Sequence, residues 1–171
     1  MDAKVLILMG SESDWQIMSE ARTALEEMGV GCEVHVSSAH RTPERTARLA
    51  REASGRGLQV VICGAGAAAH LAGVVAAQTE LPVLGVPLAA TDLNGLDALL
   101  ATAQMPAGVP VGTLAIGRPG ARNAGLLAAR IVARSDPEVA ARVREHRARM
   151  ASEVEAKDAA LQANLTRPEK K

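Results

Sequence analysis

Hydrophobic and polar positions follow two alternating patterns along this chain. Short apolar or alternating runs, typical of β-strands, occur at residues 4–9, 33–37, 58–63, 82–86 and 111–116. Longer segments with helical spacing follow them, at residues 15–28, 43–54, a stretch ending near residue 79, 93–103 and 121–133. Such alternation is typical of a parallel sheet covered on both faces. With right-handed crossovers, it predicts a three-layer, doubly wound α/β domain around five parallel strands.

The chain changes character near its C-terminus. Residues 135–171 are rich in Arg, Glu, Asp and Lys. Within them, Asp136-Pro137 is typical of a helix start, and residues 138–161 predict one long charged helix that is too polar for a core. We expect a functional α/β domain at residues 1–134. The extension is either solvated or packed on the same unit or on a neighbouring subunit.

Composition excludes several classes of protein. The 19 basic and 19 acidic side chains cancel, which argues against a nucleic-acid binder. Residues 57–79 hold no charge, but their glycines and strand-like beginning favour a buried strand and helix over a membrane span. Cys32 and Cys63 are too few for a disulfide framework and, without a signal-peptide pattern, indicate buried thiols of a cytoplasmic protein. A single Trp without Phe or Tyr disfavours aromatic stacking on a flavin.

The loop after the first predicted strand combines small and polar residues. Gly10, Ser11 and Ser13 precede a helix start, where backbone N–H groups and the helix dipole favour an anion. The alternative is helix capping, with Ser13 or Asp14 as the N-cap residue. Because Asp14 would repel a phosphate at close range, it is better suited to accept hydrogen bonds from sugar hydroxyls.

Two histidines follow the second and third predicted strands, at the edge where ligands of doubly wound sheets bind. Histidine is the side chain best suited to exchange a proton under physiological conditions, so His40 is a candidate acid or base, and Arg41 beside it offers a planar fork to a phosphate. His70 lies in a glycine- and alanine-rich loop that allows a ligand to approach the backbone closely. The alternatives are an ordinary surface histidine at position 40 and a buried, hydrogen-bonded histidine at position 70.

The distribution of positive charge restricts where a phosphate can bind. No Lys or Arg occurs between Arg56 and Arg118. Any phosphate must therefore be bound near Ser11, Ser13 and Arg41. This leaves the loop after the third strand for a neutral or weakly polar part of the ligand.

Other kinds of chemistry find little support in the sequence. His35 and His146 fall in a strand and in the charged helix, where we expect structural or solvated histidines. No Cys/His cluster has metal-ligand spacing, and no G-x-S-x-G motif indicates serine hydrolysis. The Met- and Pro-containing segments 104–110 and 117–120 are expected to turn the chain rather than to close a pocket.

Five motifs occur in order over roughly residues 5–133: MGSESDW (9–15), SAHRTP (38–43), GAGAAAHL (64–71), LPVLGVP (81–87), and QMP with PVGTLAIG (104–117). Together they resemble the N5-carboxyaminoimidazole ribonucleotide mutase family of bacterial purine biosynthesis. The resemblance implies a flavodoxin-like subunit in a homo-octamer with active sites at subunit boundaries. It also implies isomerisation of N5-carboxyaminoimidazole ribonucleotide to 4-carboxy-5-aminoimidazole ribonucleotide. That reaction would need no cofactor or metal and would use the product of an ATP-dependent synthetase.

The resemblance further implies a role for each matching residue. His40 would be the general acid/base. It would protonate the carbamate nitrogen, and the CO2 that leaves would stay trapped in the site. C4 of the ring would then attack the CO2, and neutral His40 would remove the C4 proton. His70 would orient the loop whose backbone N–H groups hold the CO2. The residues expected to bind the ribose phosphate are Ser11, Ser13, Asp14, Ser38 and Arg41, and those expected to contact the rest of the substrate are Gly66, Ala67, Ala69, His70 and Leu71.

Two residues depart from the family pattern, and two rival functions stay open. Ala67 and Ala72 stand where the family usually has glycine and proline, which predicts a narrower CO2 pocket and a less rigid loop. The carboxylase type, which adds free CO2 to aminoimidazole ribonucleotide, carries Lys after Ala-His, where this chain has Arg41. The second rival is a non-catalytic nucleotide-binding module of the same fold. This chain lacks the acid cluster of a phospho-receiver and the aromatic residues that sandwich a flavin.

Overall fold

Strands and helices alternate throughout residues 2–165, the part of the chain that the computed structural model describes. The strands are Ala3–Met9 (β1), Gly31–Val36 (β2), Val60–Gly66 (β3), Val83–Leu88 (β4) and Gly112–Thr113 (β5). The helices are Trp15–Glu27 (α1), Pro43–Glu52 (α2), Leu71–Ala76 (α3), Leu96–Ala103 (α4), Arg118–Val132 (α5) and Pro137–Leu165 (α6). Short 3₁₀ helices, Glu12–Asp14 and Ser54–Arg56, precede α1 and follow α2.

The strands are all parallel and stand in the order β2-β1-β3-β4-β5. This confirms the predicted doubly wound α/β fold, and the strand order is the flavodoxin-like one. From β1 the chain passes to β2 on one side and then crosses back to β3 on the other. The topological switch point therefore lies between β1 and β3, and the loops after these strands open a crevice there.

The central strands are buried on both faces, as their continuous apolar sequences predict. In β1, Val5, Ile7 and Met9 face one helical layer, whereas Leu6 and Leu8 face the other, and none of them is more than 2 % exposed. The first layer holds α1, α5 and the start of α6, and the second holds α2, α3 and α4. The two layers fix the sheet so that only its edges and ends reach solvent.

Small side chains allow the helices of the first layer to approach each other closely. A Cβ added to Gly125 of α5 would overlap the carbonyl oxygen of Ala21 in α1. Ala24 and Ala128 are fully buried in the same layer. The chain has no Phe and no Tyr, so close backbone approach fills the space that bulky rings occupy in other cores.

Strand β5 covers two residues instead of the predicted 111–116, and a proline in the neighbouring β4 explains the difference. Leu114 N–H still donates to the Gly85 carbonyl at 2.9 Å, and Gly117 N–H donates to the Pro87 carbonyl at 2.9 Å. The N–H and C=O of a strand residue point to the same side. Since Pro87 has no N–H, β4 lacks the next hydrogen-bond donor toward β5, and the regular β4–β5 pairing ends.

Helix α5 starts earlier than the predicted residue 121 and buries one of its faces. Residues 117–120, expected to be a turn, supply its N-cap and first turn, with Gly117 at φ 74°. A Cβ added to Gly120 would overlap the Ala115 carbonyl oxygen, so this turn approaches the backbone before it. The helix buries Ala121, Ala124 and Ala128 against the core, whereas Leu127 and Arg130 are exposed.

Helix α6 matches the predicted C-terminal helix. Val139 and His146 are its buried residues, and from Met150 onward the helix is exposed. Residues 166–171, which the sequence assigns to the same extension, lie outside the described residues. No helix within the described part of the chain is long and apolar enough to cross a membrane, and residues 57–79 contain β3 and α3.

Both cysteines are free thiols. Burial raises the pKa of Cys63, which is fully enclosed, far above its usual value. Cys32 is only half-buried, contrary to expectation, although burial still raises its pKa. Because a raised pKa keeps a thiol protonated, neither cysteine has the character of a reactive thiolate.

Candidate active site

Four loops meet at the carboxyl edge of the sheet beside the switch point. They follow β1, β2, β3 and β4 and enclose an open cleft of about 430 Å³, a size that suits a small-molecule ligand. All eleven residues proposed from the sequence line this cleft. The other lining residues are Gly10, Ala39, Ala65, Ala68 and Ala90.

The loop after β1 is folded around Asp14. The Ser11 N–H donates to Asp14 Oδ2 at 3.0 Å, and the hydroxyls of Ser11 and Ser13 are 2.9 Å apart. Burial raises the pKa of Asp14, and hydrogen bonds from the Ser11 and Gly10 backbone together with the charge of Arg41 oppose that rise. Asp14 does occupy the N-cap position of α1, but its carboxylate turns back to the loop. The loop after β1 therefore both begins helix α1 and forms a polar wall of the cleft.

Arg41 ties the loop after β2 to the loop after β1. Its guanidinium donates to the Gly10 carbonyl at 2.8 Å, and its backbone N–H donates to Ser38 Oγ at 3.2 Å. The Ser38 N–H in turn donates to Thr42 Oγ1 at 3.0 Å, just before α2. Among the described lining residues, Arg41 is the only Lys or Arg. The positive charge of the cleft thus lies at the Arg41 end, where the distribution of Lys and Arg in the sequence requires it.

His40 and His70 meet across the cleft although 30 positions separate them in sequence. His40 Nε2 lies 2.8 Å from His70 Nδ1, and the ring planes are nearly perpendicular at 87° with centroids 4.9 Å apart. Both rings are exposed, so the alternative of a buried histidine at position 70 was wrong. His35 lies outside the cleft, 3.5 Å from Glu33, and His146 is buried and receives a hydrogen bond from Arg149 at 3.0 Å.

Apart from the His70 ring, the loop after β3 brings mostly glycine and alanine residues to the cleft. Ala67 and Ala69 adopt left-handed conformations with φ 52° and 45°, which are strained for residues with a Cβ. Ala69 and Leu71 are 4 % and 2 % exposed, so their side chains point into the protein. The left-handed φ at Ala67 explains physically why glycine suits this position.

Ala90, from the loop after β4, lines the cleft from a loop in which the sequence reasoning singled out no residue. A Cβ added to Gly66 would lie 2.5 Å from the Ala90 Cβ, so the two backbones are in close contact. No chemical signal marks Ala90, and only the tight packing of Gly66 points to it. Segments 104–110 and 117–120 do not line the cleft.

No cluster of three or more His, Cys, Asp or Glu side chains within residues 2–165 is arranged to hold a metal ion.

Comparison with known proteins matches most of the chain. Residues 4–153 match the family model described as AIR carboxylase (AIR, aminoimidazole ribonucleotide). The N5-carboxyaminoimidazole ribonucleotide mutase of Mycobacterium tuberculosis is 54 % identical over 159 residues, 93 % of this chain and 90 % of that protein. The mutase of Thermotoga maritima is 51 % identical over 151 residues, 88 % of this chain and 87 % of that protein. The crystal structure of Treponema denticola PurE has a TM-score of 0.84 at 27 % identity, covering 92 % of this chain and 97 % of that one.

The strand order, the cleft at the switch point and these matches define the class. This chain belongs to the AIR carboxylase family. Within that family, the curated relatives at 51 % and 54 % identity share one name, N5-carboxyaminoimidazole ribonucleotide mutase.

Proposed function

We propose that this protein is a mutase that converts N5-carboxyaminoimidazole ribonucleotide to 4-carboxy-5-aminoimidazole ribonucleotide. The observation that carries the proposal is the order of chemical groups along the cleft. A hydroxyl-rich end with the Arg41 guanidinium and the Asp14 carboxylate is followed by a titratable histidine and then by an uncharged end lined by small residues. The substrate has three parts in the same order: a ribose phosphate, the carbamate nitrogen, and the carboxylate that is transferred.

The ribose phosphate binds at the end formed by the loops after β1 and β2. Arg41 offers guanidinium N–H groups beyond the one that bonds the Gly10 carbonyl. The Ser11 and Ser13 hydroxyls, 2.9 Å apart, donate to the same phosphate. The Asp14 carboxylate retains lone pairs for the ribose hydroxyls after accepting the Ser11 N–H.

His40 moves the proton. As an imidazolium it protonates the carbamate nitrogen while the bond from that nitrogen to the carboxyl carbon breaks, which releases CO2. C4 of the electron-rich ring then attacks the CO2, and neutral His40 removes the proton from C4. The proton that left is recovered, so one histidine acts as acid and then as base within one turnover.

The loop after β3 holds the CO2 between these steps. Its left-handed residues Ala67 and Ala69 turn the backbone toward the cleft, and its small side chains leave room for a three-atom ligand. A fixed positive charge beside the CO2 would bind the carboxylate too strongly for transfer. The absence of Lys and Arg between Arg56 and Arg118 suits this requirement.

A carboxylase that uses free CO2 is the second candidate, favoured by the description of the family model. A comparison of substrates separates the two functions. The purified protein is given N5-carboxyaminoimidazole ribonucleotide, generated in place, or aminoimidazole ribonucleotide with bicarbonate, and formation of the 4-carboxy product is followed. We expect efficient conversion of the first substrate alone. Efficient use of the second without the first would establish the carboxylase instead.

A histidine variant tests the assignment of the proton. His40→Asn should bind the nucleotide but lose turnover, because Asn cannot exchange a proton at neutral pH. His35→Asn is the matched control, since His35 lies on β2 outside the cleft. Full turnover by His40→Asn would remove His40 from the mechanism.

Several further properties belong to the same proposal. The reaction needs no cofactor or metal, because His40 and the backbone carry every step. The protein works in the cytoplasm on the product of an ATP-dependent synthetase. Residues 1–134 form the catalytic domain, and residues 135–171 form an extension.

We further propose a homo-octamer, supported by apolar side chains that remain exposed on α4 and α6. They are Leu96, Leu100, Met150, Val154, Leu161 and Leu165, 42–70 % exposed. Sedimentation of the purified protein measures the subunit number, and a stable monomer would contradict the proposed assembly.

A further inference from the structure

The hydrogen bond between His40 and His70 limits how protons can be arranged in the cleft. His40 Nε2 lies 2.8 Å from His70 Nδ1. One of these nitrogens carries a hydrogen and the other accepts it with its lone pair, since two bare nitrogens or two N–H groups would repel each other. Within residues 2–165, neither His40 Nδ1 nor His70 Nε2 makes a hydrogen bond to the protein.

The proposed reaction determines which nitrogen is the donor. His40 begins the cycle as an imidazolium, with hydrogen on both ring nitrogens. Its Nε2–H then donates to His70, whose Nδ1 must be bare and whose own hydrogen lies on Nε2. The pair therefore holds one excess proton, because a second would place two N–H groups face to face.

We propose that His70 is a positioning residue that fixes the tautomer of His40 and makes His40 Nδ1 the atom that exchanges the proton with substrate. This inference rests on the proposed function. If the proton left from Nε2, the bond to His70 would be lost in the middle of the cycle. Loss from Nδ1 leaves that bond intact in both protonation states of His40. The hydrogen bond made by one ring nitrogen thus decides what the other can do.

The proton balance closes at His40 Nδ1. Its proton passes to the carbamate nitrogen as the bond from that nitrogen to CO2 breaks. The C4 proton passes to the same Nδ1 after the bond from C4 to CO2 has formed. No proton is gained or lost overall, and His70 remains neutral throughout.

The backbone on both sides of His70 holds it in place. The neighbouring side chains of Ala69 and Leu71 are buried, whereas the His70 ring stands in the open cleft. The Ala69 N–H donates to the Gly66 carbonyl at 3.0 Å, and the His70 carbonyl accepts the Val74 N–H at 2.9 Å. The fold therefore fixes the backbone from which the His70 ring reaches His40, as positioning requires.

Nitrogen-15 NMR of the histidine rings in the full-length protein tests the tautomers without turnover. We expect neutral His40 to carry hydrogen on Nε2 and to have a bare Nδ1, and His70 to carry hydrogen on Nε2. Spectra of His40→Asn and His70→Asn assign the signals. Hydrogen on His40 Nδ1 with a bare Nε2 would overturn the inference. Mutase turnover is measured on the same sample: an inactive protein refutes the proposed function, whereas an active protein with the other tautomer refutes this inference alone.

Variants at position 70 test the consequence for turnover. His70→Asn keeps an acceptor oxygen close to the place of Nδ1, and His70→Leu removes it. We expect His70→Leu to lower kcat about 10- to 100-fold, the effect of losing one hydrogen bond to a charged ring, with a smaller change in KM. His70→Asn should recover most of that loss, and the control His35→Asn should match the wild type. Unchanged kcat in His70→Leu, or equal losses in both variants, would overturn the positioning role.

Discussion

Gly66 ends β3 at the wall of the cleft, and a methyl group there tests how tightly the loop after β4 closes on the site. A Cβ added to Gly66 would lie 2.5 Å from the Ala90 Cβ and 3.1 Å from the Leu88 carbonyl oxygen. Both distances are shorter than an ordinary van der Waals contact, so Gly66→Ala must displace the loop after β4. Overpacking of this kind costs about 1–3 kcal/mol of unfolding free energy. We also expect a lower kcat/KM, because the displaced loop forms part of the cleft.

A double-variant cycle identifies the obstacle. Ala90→Gly removes the nearer atom, so the variant that combines both changes should lose at least about 1 kcal/mol less than the two single losses together. Gly55→Ala is the matched control, since nothing lies within 4 Å of its added Cβ. That control should be neutral or should stabilise by about 0.4–1 kcal/mol through the unfolded chain. Urea unfolding at one fixed protein concentration measures all four variants.

Two outcomes would refute this reasoning. In the first, Gly66→Ala matches Gly55→Ala in urea, which would mean that the contact with Ala90 is not a tight one. Alternatively, the losses from Gly66→Ala and Ala90→Gly simply add, in which case the Ala90 methyl is not what resists the new side chain.

Three further variants test other parts of the cleft. Ala67→Gly should raise the unfolding free energy by up to about 1.5 kcal/mol. It relieves a left-handed φ that costs an L-residue about 1–2 kcal/mol, and the freer unfolded chain offsets about 0.4–1 kcal/mol of that gain. Lower stability in urea would contradict this. Arg41→Lys keeps the charge but loses the planar fork, so KM should rise about tenfold or more with a smaller change in kcat, and an unchanged KM would exclude Arg41 from phosphate binding. Burial raises the pKa of Asp14 above its ordinary 3.8, so its ionised form destabilises the native state above the native pKa, and that cost disappears as pH falls below 3.8. Asp14→Asn should therefore be no less stable than wild type near pH 7, and any gain in unfolding free energy should vanish toward pH 4. Its KM should rise. A loss of stability confined to neutral pH would reverse the sign of this argument.

The sequence predicts most of the fold because strands and helices alternate with clear hydrophobic patterns. It also predicts which loops meet, since all parallel strands end at a common edge of the sheet. Ser11, His40 and His70 could be placed together on that ground, although long stretches of chain separate them. The distribution of positive charge then assigns the phosphate to the Arg41 end, because no Lys or Arg occurs between Arg56 and Arg118.

Other features depend on contacts that no local pattern encodes. The length of β5 is limited by Pro87 in a different strand, so its own apolar sequence overstates it. The hydrogen bond between His40 and His70 joins two loops, and the left-handed turn at Ala67 and Ala69 just before His70 leaves no sign in their alanine side chains. Ala90 reaches the cleft only through close backbone packing, which leaves no chemical mark in the sequence.

The single tryptophan gives this protein an optical reporter of its own. Trp15 directly follows Asp14, at the start of α1, and the chain contains no tyrosine. All tryptophan emission therefore comes from one ring that is half-buried beside the proposed phosphate end. Ligand binding at the loop after β1 is accessible to stopped-flow fluorescence without a label, and each spectral change has one assignable source.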